Sequence, residues 1–401
     1  MPLSLPLNAQ HENRLILLLA GMQFCHIVDF MVLMPLGPQL MRLLQIGPAE
    51  FGFLVAAYTL SAGLAGFASA FVIDRFDRRR MLLVIFAGFL LATASCGLAW
   101  DFHSLLIARL AAGFFGGVLG ANVLAYIGDC IPEARRGAAT GKVMAAFSVA
   151  AVAGVPLGIF LAAQFNWRAP FIFVAASGLV LAVLALRILP SIPARNSTGP
   201  LEFRRTLYEV FSVGNHWRAF ILIGALMLAG FSVIPFISPY MVKNVGLSEA
   251  QLSLIYFCGG LATLFTAPLI GRLADRFGKA RTLRWLGAIS LLPLLVLTHL
   301  PPLPLAAVLA ITTVFMVFIS GRLIPAMAMI TSACTPALRG RFLSMNAALQ
   351  QLAASLAALW PTLVLTQDAS GRLLHYELVG YGAMAMTLLA MWIAGKVEVR
   401  S

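Results

Sequence analysis

The chain has 401 residues, of which 61% are hydrophobic and only 11% charged, and its mean hydropathy is +0.92. A soluble domain carries about 25% charged and roughly 45–50% apolar residues, so this chain has too few polar side chains to cover a surface in water. The composition therefore excludes an ordinary soluble domain and predicts a membrane protein. The formal net charge of +13 needs an explanation of its own, which the distribution of basic residues supplies.

Long apolar segments follow one another along the chain. A bilayer core about 30 Å thick requires roughly 20 apolar residues in each helix that crosses it. The start of the chain lacks the succession of basic, apolar and small residues of a signal peptide, so the first segment is expected to be a retained span. The predicted spans 1 to 12 cover approximately 15–41, 50–73, 81–100, 104–128, 138–164, 169–189, 218–242, 249–271, 282–300, 303–331, 341–366 and 376–395.

A polar stretch, residues 190–217, separates the first six spans from the last six. We therefore expect an N-terminal six-helix bundle over 1–189, a central cytoplasmic loop, and a C-terminal six-helix bundle over 218–401. This pattern predicts an all-α membrane protein with twelve transmembrane helices.

The basic residues are distributed unequally between the two sides of the predicted spans. If the N-terminus is cytoplasmic, 22 of the 28 lysines and arginines fall in cytoplasmic segments and four on the opposite side, while Arg109 and Arg322 lie within spans. Such asymmetry indicates that both termini are cytoplasmic. It also accounts for the net charge. Because the basic residues alternate with membrane crossings, a nucleic-acid partner is not expected.

The second half of the chain repeats landmarks of the first. Asp74 corresponds to Asp275 at an offset of 201 residues, and Arg136 corresponds to Arg339 at an offset of 203. Both pairs fall on predicted cytoplasmic loops at equivalent places. Two landmarks at nearly one offset indicate a duplicated six-span unit, which is one known plan for transporters.

Two of these loops carry a recognisable signature. "GRLADRFGKAR" (271–281) fits the pattern G-x-x-x-D-R-x-G-R/K-x-R/K fully, and "AFVIDRFDRRR" (70–80) fits it with Ala70 and Asp77 in place of two glycines. On these residues the chain resembles the major facilitator superfamily over essentially its whole length. The resemblance implies two six-helix pseudo-repeats and a cytoplasmic gate formed by Asp74, Arg75, Gly271, Asp275, Arg276 and Gly278.

A second signature lies in span 5, "AVAGVPLGIFLAAQFNWRAPF" (151–171). Gly154, Pro156 and Gly158 resemble the glycine–proline motif of the antiporter branch, and "WRAPF" resembles the end of this segment in bacterial drug and sugar efflux members. Gly154 and Gly158 are one helical turn apart, which suits close helix approach, and Pro156 can bend the helix. Ordinary packing glycines beside a kink would fit the same residues without implying antiport.

The segment "HIVDFMVLMPLGP" (26–38) places His26 and Asp29 inside an apolar run. Asp29 follows Leu15 by 14 residues, so it lies about 21 Å into the membrane at 1.5 Å per residue. An ionisable residue at that depth is costly and predicts a functional site.

Arg109 in span 4 is expected at the same depth as Asp29. It lies about 8 Å along the helix from Ser104, where span 4 enters from the opposite side. The resemblance implies that spans 1, 4, 7 and 10 line the cavity and that an arginine here is linked to proton coupling. A contact between Asp29 and Arg109 that forms in one state and breaks in another would change proton affinity, as coupling requires.

Three further polar residues are candidates for the same cavity. His26 lies one turn before Asp29 and either relays protons, binds substrate or only packs. Asn122 lies on span 4. Arg322 lies within span 10, where substrate or carboxylate binding and structural pairing are equally open.

The sequence offers little support for cofactors or catalysis. The five cysteines form no CxxC pair and indicate neither a disulfide framework nor a metal site. There is no GxxxxGK[ST] loop for a nucleotide and no HExxH or GxSxG motif, so we expect no cofactor and no enzyme activity.

The sequence thus predicts a secondary active transporter that exports a small organic molecule, such as a drug, sugar or metabolite, in exchange for protons by alternating access. Its expected partners are that substrate, protons and membrane lipid. The resemblance favours a monomer, and the short loops suggest a bacterial inner membrane. A proton symporter or facilitator that imports a metabolite is the main alternative, and a transporter-like sensor or lipid scramblase is a further one.

Overall fold

The computed structural model describes residues 9–72, 76–192, 208–335 and 338–398. Within these ranges, 12 helical segments are long and apolar enough to cross a membrane, which confirms the predicted number. Spans 1 to 12 are Gln10–Val32, Pro48–Ser69, Arg78–Leu98, Phe102–Cys130, Glu133–Gln164, Ala169–Ile188, Gly214–Val245, Glu249–Phe277, Lys279–Thr298, Leu305–Thr331, Arg339–Leu363 and Tyr376–Ala394. The chain is therefore an all-α multi-pass membrane protein.

Seven spans are single α-helices. These helices are Ala9–Val32, Pro48–Val72, Arg78–Leu98, Phe102–Cys130, Ala169–Ile188, Lys279–Thr298 and Tyr376–Ala394. Two others join an α-helix to a 3₁₀ turn: Glu249–Gln251 with Leu252–Phe277, and Arg339–Leu359 with Trp360–Leu363. The antiparallel strands β1 (Thr366–Gln367) and β2 (Leu373–Leu374) pair Thr366 with Leu374 between spans 11 and 12.

The remaining three spans are interrupted inside the membrane-spanning length. A proline removes a backbone donor and disturbs the helix around it, and Pro156, Pro235 and Pro325 lie just after the interruptions. π-Helical turns and broken helices at this depth often mark functional sites. The segments are Glu133–Val149, Ala150–Gly154 (π) and Val155–Gln164 in span 5; Gly214–Phe231, Ile234–Tyr240 and Met241–Val245 (π) in span 7; and Leu305–Gly321 and Leu323–Thr331 in span 10.

Span 1 ends earlier than the apolar run that predicts it. The helix stops at Val32 and a separate short helix, Gly37–Leu43, follows. Pro35 has no backbone N–H with which to continue the helix, and the Gly37 N–H instead donates to the Met34 carbonyl oxygen at 3.2 Å. The expected continuous span 15–41 is therefore wrong at its C-terminal end.

The helices form two compact units with separate hydrophobic cores. The first comprises Met1–Leu33 with Ala57–Thr198, and the second comprises Met34–Ala56 with Gly199–Ser401. Leu19, Phe86 and Val123 are fully buried in the first core, and Leu222, Met329 and Phe342 in the second. Residues 34–56 thus group with the second half of the chain, whereas the predicted bundle boundaries place them in the first.

Candidate functional site

The centre of the first unit holds a buried ion pair between span 1 and span 4. Arg109 Nη1 donates to Asp29 Oδ2 at 3.0 Å and to the Asp29 carbonyl oxygen at 3.2 Å. Asp29 is 0% exposed and Arg109 is 1% exposed. A single charge buried among apolar helices carries a large desolvation cost. In this pair, the attraction between the two opposite charges offsets part of that cost.

Span 2 contributes an aromatic ring to the same pair. The Arg109 guanidinium lies over the Tyr58 ring, with Cζ 4.4 Å from the ring centroid. A cation over an aromatic face is attracted by the ring quadrupole, the more so away from water. Sequence reasoning missed Tyr58. The sequence feature that could have identified Tyr58 is a tyrosine inside an apolar span, because its hydroxyl needs a polar neighbour there.

Several polar atoms around this pair are buried and have no hydrogen-bond partner among the described residues. They are Asp29 Oδ1, Arg109 Nε, the Tyr58 hydroxyl, Thr93 Oγ1 and both ring nitrogens of His26. Thr93, on span 3, lies beside the Asp29 carboxylate and was also missed. Native proteins satisfy most buried polar groups, so this concentration makes the cluster the candidate functional site of the first unit.

His26 joins the cluster through aromatic packing. Its ring centroid lies 6.3 Å from that of Tyr58 in a stacked arrangement and 6.0 Å from that of Phe89 in an edge contact. The structure therefore brings together Asp29, Arg109 and His26 and adds Tyr58 between them.

Glycines on span 4 allow this close packing. A Cβ on Gly116 would overlap the Tyr58 hydroxyl and lie 2.8 Å from His26 Cδ2. A Cβ on Gly113 would overlap the backbone carbonyl of Tyr58. Any side chain at either position would push span 4, and Arg109 with it, away from spans 1 and 2.

The glycine–proline motif of span 5 packs on the helix that carries Asp29. A Cβ on Gly154 would overlap Val28 Cγ2, and a Cβ on Gly158 would lie 2.5 Å from Val32 Cγ2. Pro156 follows the π-helical turn Ala150–Gly154. The motif thus fixes span 1 on both sides of Asp29 along the helix.

Asn122 lies away from this cluster along span 4, and Arg322 belongs to the second unit. Asn122 follows Arg109 by 13 residues on span 4, about 20 Å along the axis, and is fully buried with no partner for its amide atoms among the described residues. Arg322 belongs to the second unit, where Nη1 donates to Thr387 Oγ1 at 2.7 Å. The structure does not place Asn122 in the Asp29 cluster.

The expected gate residues are described in part. Asp74 and Arg75 lie outside the described residues. In the second half, Asp275 and Arg276 are exposed near the end of span 8, and Gly271 is partly buried. Gly278 ends that helix at φ +92°, a backbone conformation that favours glycine.

Asp77 replaces the corresponding glycine of the first half and uses different backbone geometry. At φ −55° its carboxylate accepts hydrogen bonds from the Arg80 N–H at 2.9 Å and from the Ser191 hydroxyl at 2.7 Å, and so caps span 3. Partial burial raises the pKa of the Asp77 carboxyl, but these hydrogen bonds outweigh it and hold the pKa below its usual value. The two halves therefore turn the chain by different means.

No group of three metal-ligating side chains is found within the described ranges. All five cysteines are free thiols, and four of them are buried.

The chain matches the family model of the Major Facilitator Superfamily over residues 19–358, and again over 219–399. It is 26% identical over 239 residues to a "Probable sugar efflux transporter" of Helicobacter acinonychis (strain Sheeba), covering 59% of each chain. An uncharacterised MFS-type transporter of Bacillus subtilis (strain 168) is 24% identical over 255 residues, covering 64% of this chain and 65% of that protein. The alignments thus span about three fifths of the length of these curated relatives.

Solved structures share the fold. A D-xylose–proton symporter superposes with a TM-score of 0.75 at 18% identity and covers 97% of this chain and 98% of its own. A bacterial homologue of the human lysosomal transporter Spinster gives a TM-score of 0.77 at 16% identity and covers 97% of both chains. With its twelve helices in two six-helix pseudo-repeats, this chain belongs to the Major Facilitator Superfamily of membrane transporters.

Proposed function

We propose that this transporter exports a small organic molecule in exchange for protons by alternating access, with Asp29 as the proton carrier. The observation that carries the proposal is the buried Asp29–Arg109 pair. Arginine keeps its proton in proteins, so Asp29 is the member of the pair that gains and loses one.

The geometry suits a proton switch. Arg109 occupies Asp29 Oδ2, while Oδ1 has no partner among the described residues. A conformational change that makes or breaks the contact with Arg109 alters the proton affinity of Asp29. His26 is placed to relay that proton or to bind substrate, and Asn122 is a further polar candidate for the substrate cavity.

Export by antiport is favoured over import by the glycine–proline motif at Gly154, Pro156 and Gly158. The printed name of the Helicobacter acinonychis relative, "Probable sugar efflux transporter", makes a sugar a natural first candidate for the substrate. An importing symporter would move substrate and protons in the same direction across vesicles, and an antiporter in opposite directions.

The distribution of basic residues supports a bacterial inner-membrane location with both termini cytoplasmic. In that orientation Asp275 and Arg276, near the end of span 8, face the cytoplasm as the predicted gate residues of the second half, and the protein works as a monomer. A membrane-impermeant thiol reagent applied to intact cells should then label Ser370→Cys, between spans 11 and 12, and not Ser212→Cys, before span 7. Labelling of Ser212→Cys but not of Ser370→Cys would show that the protein has the opposite orientation in the membrane.

The function is tested by expression in an efflux-deficient bacterium exposed to a panel of sugars, sugar analogues and toxic compounds. We expect lower intracellular accumulation of at least one compound, and loss of this effect in Asp29→Asn. Asp101→Asn is the matched control, because Asp101 is an exposed helix cap and asparagine caps equally well. Equal export by the Asp29→Asn variant would remove Asp29 from the mechanism.

A further inference from the structure

The second unit contains a buried cation for which the described residues provide no acidic partner. Arg322 lies well inside span 10 and is 1% exposed. Its Nη1 donates to Thr387 Oγ1 at 2.7 Å and lies 3.5 Å from Ser290 Oγ. Both hydroxyls donate their own protons to backbone carbonyls, those of Ala383 and Gly287. They therefore act as acceptors toward Arg322 and leave its full positive charge in place.

The sequence provides no acid nearby to neutralise that charge. Spans 7, 9, 10 and 11 contain no aspartate or glutamate. Span 8, which packs against span 10, has acids only at its two ends: Glu249 is paired with Arg42, and the Asp275 side chain is exposed. Span 12 has only Glu377, in its first turn and ten residues before Thr387, which is about 15 Å along the helix. Arg109 in the first unit has Asp29, whereas Arg322 has only neutral hydroxyls. A guanidinium cannot shed its proton to escape the cost of burial.

One edge of the Arg322 guanidinium is left open. Nε and Nη2 are buried and have no hydrogen-bond partner among the described residues. These two N–H groups point in parallel and match the two oxygens of a carboxylate or another planar oxyanion. We propose that Arg322, supported by Thr387 and Ser290, is a binding site for a planar oxyanion inside the second unit.

The backbone at Arg322 supports the assignment independently. The first helix of span 10 ends at Gly321 and the second begins at Leu323. The flanking hydrogen bonds are long, at 3.3 Å from the Arg322 N–H to Phe318 and 3.4 Å from the Ala326 N–H to Arg322. The second helix has its N-terminus at Arg322, and its dipole adds to the attraction for an anion. Broken helices with this geometry hold anionic groups in other transporters.

The test is a titration of the purified full-length protein in detergent. Sodium acetate and sodium nitrate are compared with neutral acetamide at constant ionic strength, and the thermal unfolding midpoint is followed. We expect acetate and nitrate to raise the midpoint saturably, since a ligand that binds only the folded state stabilises it. Arg322→Gln should weaken apparent binding by about tenfold or more, because both charge-assisted hydrogen bonds are lost.

Two variants serve as controls. Arg372→Gln removes an exposed arginine outside the spans and should leave the titration unchanged. Arg322→Lys keeps the charge without the two parallel donors and should lose most of the effect. If Arg322→Gln does not fold, the oxyanion site is tested by Arg322→Lys and by the comparison of acetate with acetamide in the wild-type protein. No saturable effect of either anion, or an effect unchanged in the Arg322 variants, would overturn the proposal.

A second arm identifies the source of the oxyanion. In proteoliposomes, counterflow of labelled gluconate that nitrate inhibits and Arg322→Gln abolishes would assign the site to the carboxylate of a transported substrate. Saturable nitrate and acetate binding without gluconate counterflow would assign it to an anion that stays bound. The titration is independent of proton coupling, so Asp29→Asn should bind both anions like the wild type whatever becomes of the proposed function.

Discussion

Arg109 is held from two directions, by the carboxylate of Asp29 and by the ring of Tyr58. The ring contact acts on the cation without competing for its hydrogen bonds. The hydroxyl of Tyr58, which has no partner among the described residues, is available for another task. The contribution of the Tyr58 ring can therefore be separated from that of its hydroxyl by substitution.

Tyr58→Phe keeps the ring and removes the hydroxyl, whereas Tyr58→Leu removes the ring. We expect Tyr58→Leu to destabilise the protein by roughly 1–2 kcal/mol more than Tyr58→Phe, because a desolvated cation–π contact is lost along with packing. Thermal unfolding in detergent measures the difference. Equal stability of the two variants would show that the ring does not hold Arg109.

The contact between Asp29 and Arg109 was predictable from the sequence, whereas the neighbouring Tyr58 and Thr93 were not. Asp29 and Arg109 stand out because a charge inside an apolar run needs a reason, and their depths can be counted along each helix. Tyr58 and Thr93 do not stand out, because tyrosine and threonine are common in spans as packing residues. Only the packing of spans 2 and 3 against span 1 assigns them to the site.

At the scale of helices, the site depends on how closely span 4 approaches spans 1 and 2. Gly116 lies at that approach. Gly128 lies on the same helix, and the position that a Cβ would take there has open space around it to 4 Å. Comparing the same substitution at Gly116 and at Gly128 therefore distinguishes the effect of close helix packing from that of intrinsic helix propensity.

Gly116→Ala should destabilise the protein by about 1–3 kcal/mol, because the added methyl must displace Tyr58 and His26. Gly128→Ala should be neutral or stabilising by up to about 1 kcal/mol, since alanine favours the helix. The thermal unfolding midpoints of the two variants measure this difference in stability. A Gly116→Ala protein as stable as Gly128→Ala would contradict the packing described for span 4.

The cap of span 3 gives a pH-dependent prediction. Asp77→Ala should cost about 1 kcal/mol, and Asp77→Asn less, because asparagine is a good cap. The pKa of Asp77 is lower in the folded protein than its ordinary value, so the folded state favours the carboxylate. Its extra contribution over asparagine is present near neutral pH and is lost as the pH falls below about 4.

Unfolding midpoints of the wild type and Asp77→Asn, measured across that range, should converge at low pH. A difference that grows on acidification would show that the carboxylate is not stabilised in the folded protein. Wild-type and Asp77→Asn proteins should differ most at neutral pH.

Helix number was predictable, but helix continuity was not. The length of an apolar segment predicts a transmembrane span but does not show whether its helix is interrupted. The sequence therefore predicts spans 1, 5, 7 and 10 as continuous helices. Pro35, Pro156 and Pro325 mark where disruption is possible. Whether a proline bends a helix, ends it or produces a π-helical turn depends on neighbouring helices that re-satisfy the backbone, and sequence does not reveal those neighbours.

At the scale of the whole molecule, the fold follows from features that repeat along the chain. Twelve apolar segments, two loop signatures and their offset of 201 residues predicted a duplicated transporter, and the family match confirms it. The grouping of residues 34–56 with the second unit was not predictable. It depends on contacts between segments far apart in sequence, such as the Ser355 hydroxyl with the Ala56 carbonyl at 3.2 Å.

We propose that Asp29 carries the proton whose movement drives transport. Proteoliposomes that contain a pH-sensitive dye, a labelled substrate from the export panel and an imposed pH gradient test this role. The wild type and Asp101→Asn should accumulate substrate against its gradient while protons move in the opposite direction. Asp29→Asn should neither accumulate substrate nor move protons, yet still exchange labelled for unlabelled substrate. Gradient-driven accumulation by Asp29→Asn at the wild-type rate would exclude Asp29 as the proton carrier.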